Sequence, residues 1–145
     1  MMKMEDDNSG KGLKVLVVDD DQGVRDVVVR FLKTKGFKQV SSAGTGKECL
    51  ELIEKEEVGL VLLDVRLPDI DGIEVLRKIK QIRKSTPVIM ITGFPDEETT
   101  REAMKEGAYD YIIKPFDLFY LELILFTKII QITSGQAPLE TKGQP

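Results

Sequence analysis

Val15-Leu16-Val17-Val18-Asp19-Asp20-Asp21 is a run of four aliphatic residues leading straight into three carboxylates. Four residues are too few for a helix, and an unbroken apolar run lacks the alternation that would turn one face to water. The stretch therefore reads as a short strand buried on both faces. Two further runs repeat the pattern: Leu60 to Leu63 ends at Asp64, and Val88 to Ile91, opened by Pro87, ends at Thr92. Tyr111 to Ile113, the fifth strand, ends at Lys114, and a more polar second strand covers Gln39 to Ser42.

Helix-period segments separate these runs. Val24, Val27, Val28, Phe31 and Leu32 form one predicted apolar stripe, closed by Gly36 at the helix end. Thr45 is a predicted cap for a second helix whose Cys49, Leu50 and Ile53 face inward. Asp71 and Gly72 open a third, carrying Ile73, Leu76, Ile79 and Ile82. The fourth, Asp96 to Glu106, offers only Ala103 and Met104 to a core and is expected to be the least anchored. A fifth runs from Asp117 to Ile132. Five strands alternating with five helices predict an α/β fold: a doubly wound, flavodoxin-like (βα)5 domain with a parallel sheet of order 2-1-3-4-5. The folded unit is expected to span residues 13–133, between a flexible segment 1–12 and a Gly/Pro/Gln-rich tail or interdomain linker 134–145.

Composition narrows the chemistry. At 145 residues with 41% hydrophobic and 32% charged residues, the chain has the size of one globular domain. No run reaches the ~18 apolar residues of a spanning helix, so a soluble, cytoplasmic protein without membrane attachment is expected. The net charge of −4 argues against direct nucleic-acid binding. There is no histidine, which removes Ser-His-Asp triads and histidine-ligated metals, and the single cysteine, Cys49, cannot form an internal disulfide.

Ligands of doubly wound sheets bind at the carboxyl ends of the strands, near the point where strand order reverses. Asp19, Asp20, Asp64, Thr92 and Lys114 all fall at such ends. Any one of them has an ordinary explanation as a turn acid, a β-former or a solvated lysine. Together they form a single constellation. Converging carboxylates repel one another unless a hard cation with oxygen ligands neutralises them, and Mg²⁺ is the expected cofactor. A lysine and a hydroxyl at the same edge suit a phosphoryl group, with Asp64 as nucleophile.

With these residues assembled, the sequence resembles the response-regulator receiver, or CheY-like, family from Leu13 to Ile132. The resemblance rests on Val15-Leu16-Val17-Val18-Asp19-Asp20-Asp21, Leu62-Leu63-Asp64-Val65-Arg66-Leu67-Pro68-Asp69-Ile70-Asp71-Gly72, Met90-Ile91-Thr92-Gly93 and Tyr109-Asp110-Tyr111-Ile112-Ile113-Lys114-Pro115-Phe116. It implies that Asp19, Asp20, Asp64 and the backbone carbonyl of Arg66 hold Mg²⁺. It also implies that Asp64 is the phosphoacceptor for a sensor histidine kinase or histidine phosphotransfer protein. Thr92 and Lys114 would bind phosphoryl oxygens, Thr92 and Tyr111 would act as the switch pair, and the Lys114–Pro115 bond would be cis. On this reading the chain is a phosphorylation switch rather than an enzyme, acting on an output domain or partner protein.

Other readings remain beside it. A haloacid-dehalogenase-type phosphatase needs a second acid two residues after the nucleophile, where Arg66 stands. A flavin-binding module would meet three acids where it needs a phosphate cradle. A receiver-like module that works by binding alone, without phosphorylation, is the third. The last helix is apolar on more than one face, which leads to the expectation of a homodimer or partner surface on the face made by helix 4, strand 5 and helix 5.

Overall fold

The computed structural model describes residues 12–93, 96–114 and 118–134. The segment 1–11, the Lys114–Pro115 bond, the expected helix start at Asp117 and the tail from 135 lie outside the described residues.

The elements alternate strictly: β1 (Lys14–Val18), α1 (Gln22–Thr34), β2 (Gln39–Ala43), α2 (Gly46–Lys55), β3 (Leu60–Asp64), α3 (Gly72–Ile82), β4 (Val88–Thr92), α4 (Glu97–Lys105), β5 (Asp110–Ile113) and α5 (Leu118–Thr133). All strand pairs are parallel, and the sheet order is β2-β1-β3-β4-β5. Strand order reverses between β1 and β3, which are hydrogen-bonded neighbours with Val18 opposite Leu63. This register brings Asp19, which follows β1, and Asp64, which ends β3, to one edge.

The aliphatic strands face two ways and build two cores. Leu16, Val18, Val61, Leu63 and Met90 pack with Cys49, Ile53, Leu76, Ile79 and Ala103, so α2, α3 and α4 cover one face. Val15, Val17, Leu60, Leu62, Ile89 and Ile91 pack with Val28, Leu32, Leu121, Leu125 and Ile129, so α1 and α5 cover the other. The runs Val15–Val18, Leu60–Leu63 and Val88–Ile91 of the central strands are thus unbroken apolar stretches because both of their faces are dry.

Two sequence expectations about these faces need correction. The α1 stripe is centred on buried Val28 and Leu32, with Val24, Val29 and Phe31 beside them; Val27, about 100° round the helix from Val28, is 51% exposed. In α3, Val75 joins Ile73, Leu76 and Ile79 inside, while Ile82 in the last turn is exposed.

α4 buries only Ala103, as its composition predicts, but ion pairs tie it down. Arg77 of α3 reaches Glu102 and Glu106, at 3.6 and 3.2 Å, as well as Glu74 on its own helix. Its outer side carries Glu97, Glu98 and Arg101. No helix among the described residues is long and apolar enough to cross a membrane.

Candidate functional site

The loop after β1 is fixed before any side chain is considered. The Asp19 amide donates to the Ala43 carbonyl at 3.1 Å, and the Arg25 guanidinium donates to the Asp19 carbonyl at 2.7 Å. The Asp21 amide donates to Asp19 Oδ1 at 2.9 Å, which turns that carboxylate back over the loop. Asp21 itself caps α1, its side chain accepting from Val24 N–H. The acidic triplet therefore divides: Asp21 is a helix cap, while Asp19, 3% exposed, and the exposed Asp20 face the crevice.

The β3–α3 loop divides its acids in the same way. Asp64 is 5% exposed and accepts from the Arg66 amide at 3.1 Å. Asp69 reaches across to the start of α2, accepting from Gly46 and Lys47 N–H at 2.8 and 3.0 Å. These amides, Gly46 first, hold its carboxyl below the usual range. Asp71 caps α3 through Ile73 N–H at 2.8 Å. The loop closes tightly: Gly72 N–H donates to the Val65 carbonyl at 2.8 Å, and a Cβ on Gly72 would lie 2.5 Å from the carbonyl oxygens of Asp64 and Val65. Only glycine fits under this loop.

Three carboxylates converge as a result. Oxygens of Asp19, Asp20 and Asp64 all lie within 4.8 Å of one another. Lys114, carried in by the end of β5, places Nζ 2.7 Å from Asp19 Oδ2 and 3.2 Å from Asp64 Oδ2. Its amide donates to the Thr92 carbonyl at 2.6 Å, fastening the β5 end to the β4 end. Burial pushes the Asp64 carboxyl up and the neighbouring Asp19 charge adds to it; the Arg66 amide and Lys114 pull the other way without cancelling the rise. Burial alone would push the Lys114 ammonium down, but its hydrogen bond to Asp19 and the charges of Asp64 and Asp19 raise it. The lysine ammonium is wedged between two buried carboxyl groups, and the cluster sets three acids against one base.

This donor set suits a hard divalent cation: all oxygen, carboxylate, and partly open to solvent through Asp20. The Arg66 peptide lies at the carboxylate through its amide. Thr92 is fully buried at the end of β4, next to Gly93, where an added Cβ would meet nothing closer than 3.8 Å. Among the described residues, nothing crowds Gly93. Tyr111 packs against the α2–α4 side of the core, and its hydroxyl is buried without a hydrogen-bond partner among the described residues. The Arg66 side chain is exposed and lines a cavity of about 460 Å³ with Leu67, Thr99 and Glu102; the carboxyl of the α4 cap Asp96 is lowered chiefly by the Thr99 amide and hydroxyl, with the Arg66 charge adding to it.

All of Asp19, Asp20, Asp64 and Lys114 thus come together, and Thr92 lies on the adjoining strand end. Sequence reasoning missed Asp69 as the tie between two loops, and it missed that Lys114 rests directly on the carboxylates. The Asp/Gly-rich composition of residues 64–72 signalled a turn, but nothing in it distinguishes the acid that stays in the crevice from those that cap helices.

Comparison with known proteins bears on what this edge does. The family model described as "Response regulator receiver domain" matches residues 15–125. The transcriptional regulatory protein ZraR of Klebsiella oxytoca is 36% identical over 131 residues, covering 90% of this chain and 29% of that protein. The regulatory protein AtoC of Escherichia coli K12 is 38% identical over 112 residues, 77% of this chain and 24% of that protein. The chain thus spans under a third of these curated relatives. Among solved structures, a CheY-like response regulator receiver domain protein from Methanospirillum hungatei superposes with a TM-score of 0.80 at 34% identity, covering 85% of this chain and 98% of that one. The receiver domain of NtrX from Brucella abortus gives 0.74 at 34% identity, over 81% and 98%.

Proposed function

The chain belongs to the response regulator receiver family, and from that premise we propose that Asp64 accepts a phosphoryl group from the phosphohistidine of a sensor kinase or histidine phosphotransfer protein. A carboxylate oxygen of Asp64 attacks phosphorus, the P–N bond breaks, and the histidine nitrogen leaves with the electron pair. The observation that carries this reading is the convergence of three carboxylates within 4.8 Å with the Lys114 ammonium lying on two of them.

Asp19, Asp20 and Asp64, with the Arg66 carbonyl, are the residues that would hold Mg²⁺, which supplies positive charge to the transferring phosphoryl oxygens. Lys114 neutralises a further oxygen once it is drawn off the carboxylates. Thr92 donates its hydroxyl to the phosphoryl group, and its movement is coupled to Tyr111, whose buried hydroxyl has no hydrogen bond to a described residue to give up on moving. The change is read at the α4–β5–α5 face by an output domain or partner protein. The chemistry of the chain is limited to its own phosphorylation and autodephosphorylation. The switching unit is residues 13–133, with 1–12 and 134–145 as its flexible attachments, and the setting is the cytoplasm. Arg66, exposed beside the acceptor, influences how long the acyl phosphate survives; an unchanged half-life in Arg66→Ala removes that role.

Incubation with acetyl phosphate and Mg²⁺, followed by intact mass, tests the proposal. The wild type gains one phosphoryl group and Asp64→Asn gains none. Equal incorporation by both proteins overturns it.

A further inference from the structure

The turn between β2 and α2 touches both loops that carry the crevice carboxylates, and it does so within the short stretch 43–47. The Ala43 carbonyl accepts from the Asp19 amide at 3.1 Å. The Arg25 guanidinium that holds the Asp19 carbonyl lies against Gly44, where an added Cβ would come within 2.8 Å of it. Gly46 and Lys47 then donate their amides to the Asp69 carboxylate, one to each oxygen, at 2.8 and 3.0 Å. Among the described residues, the span 67–70 has no other hydrogen bond to another element. We propose that this turn, clamped by Asp69, is a brace that holds the Asp19 and Asp64 loops at a fixed separation, which makes Asp69 a positioning residue for Mg²⁺.

α2 does not need Asp69 as its cap. Thr45 already caps that helix by accepting from Glu48 N–H at 3.0 Å, and the Glu48 carboxylate reaches back to the Gly44 amide at 2.7 Å. Asp69 takes the two amides left over, from 22 and 23 residues away. The seat is also close-fitting. A Cβ on Gly46 would lie 2.9 Å from Val75 Cγ2 and 3.2 Å from Ile70 Cβ, so glycine lets the start of α2 come up against the acceptor loop.

The brace answers a mechanical problem at the edge. Sheet pairing aligns Val18 with Ala43 on one side and with Leu63 on the other, but it ends there, before the loops that turn the acids into the crevice. Three acids packed within 4.8 Å push those loops apart whenever they are ionised. A loop that must be drawn in before it can ligate loses affinity to its own ordering, whereas one tied down beforehand does not. The inference rests on the reading of this edge as a Mg²⁺-assisted phosphoacceptor, and it adds the residue that sets how tightly the cation is held.

Calorimetric titration of the full chain with Mg²⁺, in the wild type, Asp69→Ala and Asp69→Asn, tests it. Asp69 is exposed, so its truncation opens no cavity in the core. Asp69→Ala is expected to bind Mg²⁺ about tenfold more weakly, as when a group that holds a metal's ligands in place is removed. It also exchanges the Gly46 and Lys47 amide protons faster than the wild type. Asp69→Asn, whose side-chain oxygen still accepts from one of these amides, is expected to fall between the two. Both variants remove the same charge, so the difference between them reads the hydrogen bonds and not long-range attraction. Wild-type affinity in Asp69→Ala overturns the brace while leaving the cation site intact, and so do equal losses in the two variants. A wild type that binds no Mg²⁺ overturns the cation site itself, and the brace with it.

Discussion

The carboxyl edge of the sheet and the outer face of α5 break the ordinary rules of burial in opposite directions. The first removes two carboxylates, Asp19 and Asp64, from water; the second leaves two phenylalanines, a leucine and an isoleucine in it. Each is a local cost that the fold accepts, and at the edge the relief we propose is a cation and a phosphoryl group. The comparison teaches where to look for ligands. A region whose polarity is wrong for its burial, and whose neighbours already have their own partners, points to the chemistry that would correct it.

The largest expected effect separates the two regions outright. Asp64→Asn loses phosphorylation completely by intact mass, while Leu123→Glu on the outer face of α5 keeps it. A loss in both variants would join the regions into one system.

Next is the packing beneath the acceptor. Gly72→Ala drives a Cβ against two backbone carbonyl oxygens that cannot rotate away, and it is expected to lower unfolding free energy by about 2–3 kcal/mol in urea titrations. An unaffected midpoint would mean that the loop is looser than its hydrogen bond to Val65 indicates.

A subtler effect concerns charge without Mg²⁺. The Asp64 carboxyl has a higher pKa in the folded chain than in the unfolded one, so the native state binds more protons across that window. Stability from this group is present below the unfolded value and is lost as pH rises through the folded one. At neutral pH Asp64→Asn therefore melts a few degrees above the wild type without Mg²⁺, and the gap narrows in acid. A variant less stable at neutral pH would show that Lys114 more than compensates for the buried charge.

The smallest effect is one of competition. Lys114→Ala frees the carboxylates that its ammonium now occupies, so Mg²⁺ binds several-fold more tightly by calorimetry while phosphorylation slows. Weaker Mg²⁺ binding would assign Lys114 to shaping the site instead.

Much of the fold was legible because the central strands are dry on both faces. Val15–Val18, Leu60–Leu63 and Val88–Ile91 can hardly be anything else, and once their order is set, the acids that follow them must meet. Edges were harder. β2 is polar and runs one residue further than expected, to Ala43, and β5 starts one residue earlier, at Asp110. In α1 and α3, which valines and isoleucines face inward depends on where the helix rests on the sheet, and spacing alone misassigned Val27 and Ile82.

In the site, topology placed the carboxylates correctly but was silent on pairings between distant loops. Asp69 meets the start of α2 from 22 and 23 residues away, and Arg77 anchors α4 through charges that have no period. For α5 the excess of apolar residues was visible, but the side on which the excess emerges was not. Leu121, Leu125 and Ile129 turn to the sheet, while Phe119, Leu123, Phe126 and Ile130 stay exposed.

The central claim is that Asp64 carries phosphate as an acyl phosphate, and chemical trapping reads this directly. Borohydride reduction of the protein phosphorylated in Mg²⁺, followed by peptide mapping, is expected to convert residue 64, and no other aspartate, to homoserine. Conversion at Asp19 or Asp20, or a borohydride-resistant phosphate on a hydroxyl such as Thr92, would contradict it.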